Sequence, residues 1–193
     1  MTDRPPVRRR KASARREQLA AAGERVIADR GLEGLTHRAV AEEAGIPIGS
    51  TTYYFADRGD LIDAVLHRAV DGYAEYTEKF VLEHADDTAD QLVGYLVDVV
   101  MNCVGSESGQ SIVEFELSLT AHRRPELRGP VRRFLELDIA ALASRFTDPL
   151  TAKAVSLAMT GLIFHGLSSE TALERDDIAA IIRRMIAARA ASG

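Results

Sequence analysis

The sequence predicts an all-α chain of about nine helices. Three observations point to it. Apolar residues recur at helical spacing in segment after segment, and no strand-like run of period two appears. The breaks between segments carry helix punctuation: Gly31, Gly45 and Gly105 follow apolar runs, while Thr36, Asp57 and Asp148 precede them. With 193 residues, 46% hydrophobic and 27% charged, the chain suits one large or two small globular domains, and neither disorder nor a fibre fits that composition.

In the first segment Leu19, Ala22, Val26 and Ile27 fall at i, i+3, i+7 and i+8, predicting a helix from about Ala14 to Arg30 that stops at Gly31. Thr36 is a good N-cap for a short second helix with Ala39, Val40 and Ala44 inward, ended by Gly45. Ile46-Pro47 opens a third, with the proline at the first helical position, where its missing N–H costs nothing. Asp57 caps a long fourth helix whose apolar stripe is Leu61, Ile62, Val65, Leu66, Ala69, Val70 and Tyr73.

Leu92, Leu96, Val99 and Val100 mark a fifth helix, punctuated by Gly105 to Gly109. Ile112, Phe115 and Leu119 mark a sixth, which should end near Arg124 because Pro125 disfavours helix before it. A seventh runs from roughly Glu126 to Phe146. Asp148-Pro149 starts an eighth, and Asp176 or Asp177 starts a ninth ending near Ala188. The eighth holds the most apolar window, Leu150 to Leu167, interrupted by Thr151, Lys153, Ser156, Thr160 and His165, so it reads as a buried helix rather than a membrane span. Its small residues Ala154, Ala158 and Gly161, with Leu162, place it either at the centre of its own core or in contact with a second subunit.

The net charge of −5 conceals an asymmetry. Residues 1 to 58 carry 11 Lys+Arg against 8 Asp+Glu, whereas residues 59 to 193 carry 13 against 21. Arg4, Arg8, Arg9, Arg10, Lys11, Arg15 and Arg16 crowd the start against Asp3 alone. A basic arm ahead of an acidic body suits a protein that meets a polyanion with one end, although a solubilising tail has the same composition. One cysteine, Cys103, permits no intramolecular disulfide and no cysteine zinc cluster, and a reducing cytoplasm is the expected compartment. The basic start leads into no apolar stretch of signal length, and no membrane partner is expected.

The segment AGIPIGSTTYYFADRGDL, residues 44 to 61, sets three aromatics side by side. Two short helices joined by a turn at Gly45 have the outline of a helix-turn-helix. Ala41, Ala44 and Ile46 are expected inward and the polar residues of the third helix outward. Phe55 is expected to be buried, while the hydroxyls of Tyr53 and Tyr54 need polar partners and can donate to phosphate oxygens.

From Thr36 to Leu61, THRAVAEEAGIPIGSTTYYFADRGDL resembles the amino-terminal DNA-binding domain of TetR-type transcriptional repressors, with a threonine-capped second helix, a glycine turn, a small-residue run and a Tyr-aromatic-Phe ending. The resemblance implies a three-helix DNA-binding domain followed by a helical ligand-binding and dimerisation domain. The expected boundaries are a flexible arm at 1–13, the helix-turn-helix at 14–58 and the helical body at 59–193. It further implies that Arg38, Gly49, Ser50 and Thr52 approach base edges, an arginine being suited to guanine O6 and N7. Thr36, Tyr53, Tyr54 and Arg58 match phosphate-contacting places. Ala56 and Ile48 depart from common members, which carry a lysine and a polar residue there. Arg8, Arg9, Arg10 and Lys11 in the arm are expected along the DNA backbone or in the minor groove.

Enzymatic chemistry has little support. Asp63, His67 and Asp71 share a helix face, but no second histidine motif completes a metal site, and no metal or other cofactor is expected. Glu114 or Glu116 is expected to turn inward toward a cation or an arginine. Phe115 and His165 are the candidates for lining a ligand pocket. The expected function is a homodimeric, ligand-responsive regulator, a repressor of a near-palindromic double-stranded DNA operator released by a small-molecule effector. An architectural DNA binder and a helical small-molecule-binding enzyme are the alternatives.

Overall fold

The computed structural model describes residues 7–171 and 173–187, with side chains from residue 12. Among these residues there is no strand, and nine α-helices follow one another: α1 (Val7–Arg30), α2 (His37–Glu43), α3 (Ile48–Tyr54), α4 (Arg58–Glu83), α5 (Ala89–Val104), α6 (Ser108–Arg123), α7 (Arg128–Ala143), α8 (Pro149–Ser168) and α9 (Arg175–Ala187). Single 3-10 turns at Leu32–Gly34 and Pro125–Leu127 precede α2 and α7. Two compact units result, Met1–Asp71 with Ile112–Pro130, and Gly72–Ser111 with Val131–Gly193. The division falls inside α4, and most of α6 belongs to the amino-terminal unit.

In the first unit, α1 buries Leu19, Ala22, Val26 and Ile27 completely or nearly so. It begins earlier than Ala14, taking in residues expected in a flexible arm; the side chains of Arg8, Arg9, Arg10 and Lys11 lie outside those described. Gly31, at φ 67, closes α1 by donating its N–H to the Ile27 carbonyl at 2.8 Å. Thr36 Oγ1 caps α2 by accepting from the Ala39 amide at 3.1 Å. Gly45, at φ 65, makes the turn, and Pro47 is the N-cap of α3 rather than its first helical residue. Asp57 starts α4 by accepting from the Asp60 amide at 2.9 Å.

The sixth helix buries a different face from the one its spacing suggested. Val113, Leu117 and Ala121 are buried, whereas Leu119 is 71% exposed and Ile112 and Phe115 are half-buried. Both stripes of α6 are apolar, so periodicity alone could not select between them. Glu116 does turn toward the protein, but its Oε2 accepts from the Leu32 backbone amide at 3.4 Å instead of meeting an arginine.

In the second unit, α5 contributes Leu92, Leu96 and Val100, α8 contributes Val155 and Met159, and α9 contributes Ile178 and Ile182 to one core. Thr88 and Gln91 form a capping box at the start of α5. Asp148 caps α8, with Pro149 at its first position. Helix α8 is long and apolar enough by length and composition to cross a membrane, but it is not buried all round. Thr151, Val155, Ser156 and Met159 face the core, while Leu150, Leu157 and Phe164 are 70%, 50% and 53% exposed.

Candidate nucleic-acid interface

Helix α3 has only seven residues, too few to be stable alone, so its orientation depends on tertiary anchors. Two side chains supply them. Phe55, at its C-cap, is fully buried, a burial that contributes about 1.5–3 kcal/mol. Thr51 is also fully buried, and its hydroxyl lies 2.8 Å from the Ile48 carbonyl and 3.3 Å from the His37 carbonyl, the second acceptor belonging to α2. The role of Thr51 escapes sequence reasoning because a threonine between Ser50 and Thr52 looks like one more outward polar group. Its position four residues before Phe55, on the same helix face, is the signal that marks it as inward.

The opposite face of α3 is open. Ile48 is 52% and Tyr53 77% exposed, Gly49 and Thr52 are exposed, and Ser50 is half-buried. A Cβ added to Gly49 would meet nothing within 4 Å, so internal packing does not require glycine here. The Tyr53 and Tyr54 rings meet edge to face, 5.0 Å between centroids and 88° between planes. Arg38 and Thr36 are exposed on α2 and at its cap. Because the Thr36 oxygen accepts the cap hydrogen bond, its own proton stays available to an outside acceptor.

Arg58 has internal partners. Its Nε donates to the Leu35 carbonyl at 3.0 Å and its Nη2 to the Leu32 carbonyl at 2.6 Å, with the Glu33 carboxylate 3.6 Å away. The guanidinium thus ties the start of α4 to the turn before α2, while its side chain stays 41% exposed. Arg16 is similarly employed: it lies over the Phe55 ring, 5.1 Å from the centroid, and pairs with Asp60 at 2.9 Å. Asp60 in turn accepts from the Ala56 amide at 3.1 Å, which fixes the chain leaving α3.

The two ligand-pocket candidates do not come together within either unit. Phe115 is half-buried in the first, and His165 is exposed on α8 in the second. The second unit instead assembles a polar aromatic cluster. Tyr73 donates its hydroxyl to Asp138 Oδ1 at 3.3 Å, stacks on Tyr76 at 5.8 Å and leans on Phe134 at 5.5 Å. The Tyr76 and Tyr95 hydroxyls are 2.7 Å apart, and Tyr95 packs on Phe80 and His84. Burial pushes the Asp138 carboxyl above its ordinary value, with the Ser156 and Tyr73 hydroxyls acting in the opposite direction. Asp138 could have been noticed in the sequence, since it stands four residues after Phe134 and three before Ala141, on the apolar stripe of α7.

Residues 19–65 match the family model described as bacterial regulatory proteins, tetR family, and residues 87–188 match the tetracyclin repressor-like C-terminal domain. The multidrug binding protein EbrR, solved in complex with ethidium, is 36% identical, with 89% of this chain and 98% of that one covered at a TM-score of 0.72. A TetR-family member from Streptomyces coelicolor A3 is 37% identical, covering 89% and 97% of the two chains at a TM-score of 0.72. The HTH-type transcriptional regulator PksA of Bacillus subtilis (strain 168) is 44% identical over 48 residues, 25% of this chain and 23% of that protein. This chain therefore spans about a quarter of the length of that curated relative.

Proposed function

Because the chain belongs to the TetR family of bacterial regulatory proteins and is a DNA-binding transcriptional regulator, we propose that it is a repressor of a near-palindromic operator, which it binds as a homodimer and leaves on capturing a small-molecule effector. The observation that carries this reading is the two-sidedness of α3: Thr51 and Phe55 are sealed into the first unit while Ile48, Gly49, Thr52 and Tyr53 face outward. Arg38, Gly49, Ser50 and Thr52 then read base edges, and Thr36, Tyr53, Tyr54 and the exposed part of Arg58 lie where phosphates would be held. The missing Cβ of Gly49 lets the helix approach the base edges closely.

One such helix covers only a few base pairs, too little to select a site in a genome, so two copies in successive major grooves are needed. Leu150, Leu157 and Phe164 recur every seven residues along the exposed side of α8, and a second copy of that helix would cover them. For the effector, the support is the likeness to EbrR, whose solved complex contains ethidium, together with the polar aromatic cluster of the second unit. Helix α4 is continuous from Arg58 to Glu83 and runs from one unit into the other, so a ligand that favours one position of its carboxy-terminal half alters the spacing of the two α3 helices. This function requires no catalysis, and the cytoplasm is where the protein would meet its operator.

Selection of bound duplexes from a random pool, repeated with candidate ligands, tests the reading. A twofold-symmetric consensus that is depleted when ligand is added is the expected result. Binding without sequence preference would make the protein an architectural binder instead.

A further inference from the structure

Asp138 is a half-buried carboxylate on the apolar side of α7, where its stripe mates Phe134 and Ala141 are both 5% exposed, and none of the ion pairs among the described residues engages it. Taking a carboxylate even partly out of water without a cation is costly, and folds ordinarily supply an arginine or lysine. Here the neighbours are rings and the Ser156 hydroxyl. Tyr73, whose hydroxyl reaches Asp138 at 3.3 Å, lies between Tyr76 and Phe134, and Tyr76 is 41% exposed, so the cluster is open to solvent on one side. The faces of such rings carry negative potential and attract cations, most strongly where water is excluded.

We propose that Asp138, Tyr73, Tyr76 and Phe134 form a binding site for an organic monocation with an aromatic body, its charge set against Asp138 and its rings against the tyrosines. An anion would meet a half-buried negative charge, and a neutral ligand would leave that charge without a cation. A divalent metal ion needs several oxygen ligands, and a single carboxylate does not supply them. The site names the chemical class of the effector, so it rests on the reading of the second unit as the effector-binding part.

The test uses the full chain and an isosteric pair, phenyltrimethylammonium and its uncharged analogue tert-butylbenzene, each competing with ethidium followed by fluorescence in the absence of DNA. The cation is expected to displace ethidium at least about tenfold more effectively than the neutral compound, and Asp138→Asn to erase that preference. Tyr76→Ala, at a solvent-exposed ring, is expected to weaken ethidium binding without loss of fold, which keeps the test valid should the Asp138 variant misfold. Equal displacement by the two compounds, or unchanged ethidium affinity in a folded Asp138→Asn protein, overturns the proposal. Operator release separates this from the broader reading. If tert-butylbenzene releases the operator as effectively as phenyltrimethylammonium, the regulator stands and the cation site falls. If the phenyltrimethylammonium preference is present but never affects operator binding, the site stands and effector control through it falls.

Discussion

The Arg58 guanidinium donates to the Leu32 carbonyl at 2.6 Å and to the Leu35 carbonyl at 3.0 Å, closing the turn between α1 and α2 from the first residue of α4. These are charge-assisted hydrogen bonds to backbone carbonyls, the one of Leu32 also accepting from the Leu35 amide at 3.1 Å. Arg58→Gln is therefore expected to destabilise the protein by about 1.5–3 kcal/mol in urea or thermal melts. The dependence of operator affinity on salt tests its outward role: a slope lower by about one assigns Arg58 a phosphate contact, and an unchanged slope leaves it the internal one alone.

Gly49 and Gly23 separate function from packing. A Cβ on Gly49 meets nothing within 4 Å, so Gly49→Ala should leave the melting temperature unchanged or slightly raised while weakening operator binding. Unaltered operator affinity would remove Gly49 from the interface.

Gly23 presents the reverse case. It is buried in α1, and an added Cβ would stand 2.5 Å from Cγ2 of the fully buried Val65 in α4. Alanine gains about 1 kcal/mol of helix propensity, whereas overpacking against a stiff β-branched side chain costs about 1–3 kcal/mol. Gly23→Ala is expected to be net destabilising in denaturant titration.

Asp138 gives the stability a pH signature. Burial raises its folded-state pKa above the ordinary 3.8, so the stabilisation linked to its protonation is fully present below that value and is lost as the pH rises through the raised one. At neutral pH the ligand-free protein therefore carries the cost of a partly buried charge. Asp138→Asn should melt higher than wild type at neutral pH, and the difference should shrink on acidification. Parallel melting curves at all pH values would contradict this assignment of cost.

The exposed side of α8 predicts an oligomer. Leu157→Glu places a charge midway between Leu150 and Phe164 and is expected to turn a dimer into a monomer in sedimentation, with operator affinity falling by orders of magnitude as the second α3 is lost. A wild-type protein that sediments as a monomer at every concentration would refute the homodimer directly.

What the sequence by itself determined was local. The Thr36 cap, the left-handed glycines at 31 and 45, the Asp148-Pro149 start and the inward Phe55 are written in residues a few positions apart, because helix caps and turns are closed by hydrogen bonds spanning three to five residues. With them came the all-α class and the outward polar face of α3, and the family resemblance added the roles of its residues. Tertiary structure decided the rest. Which apolar stripe of α6 is buried, that Arg58 serves the backbone, and that Tyr73 finds Asp138 across 65 residues all depend on how helices cross. Two stripes of equal apolarity, or an arginine with several acceptors in reach, leave the choice open to the chain until packing excludes water from one of them.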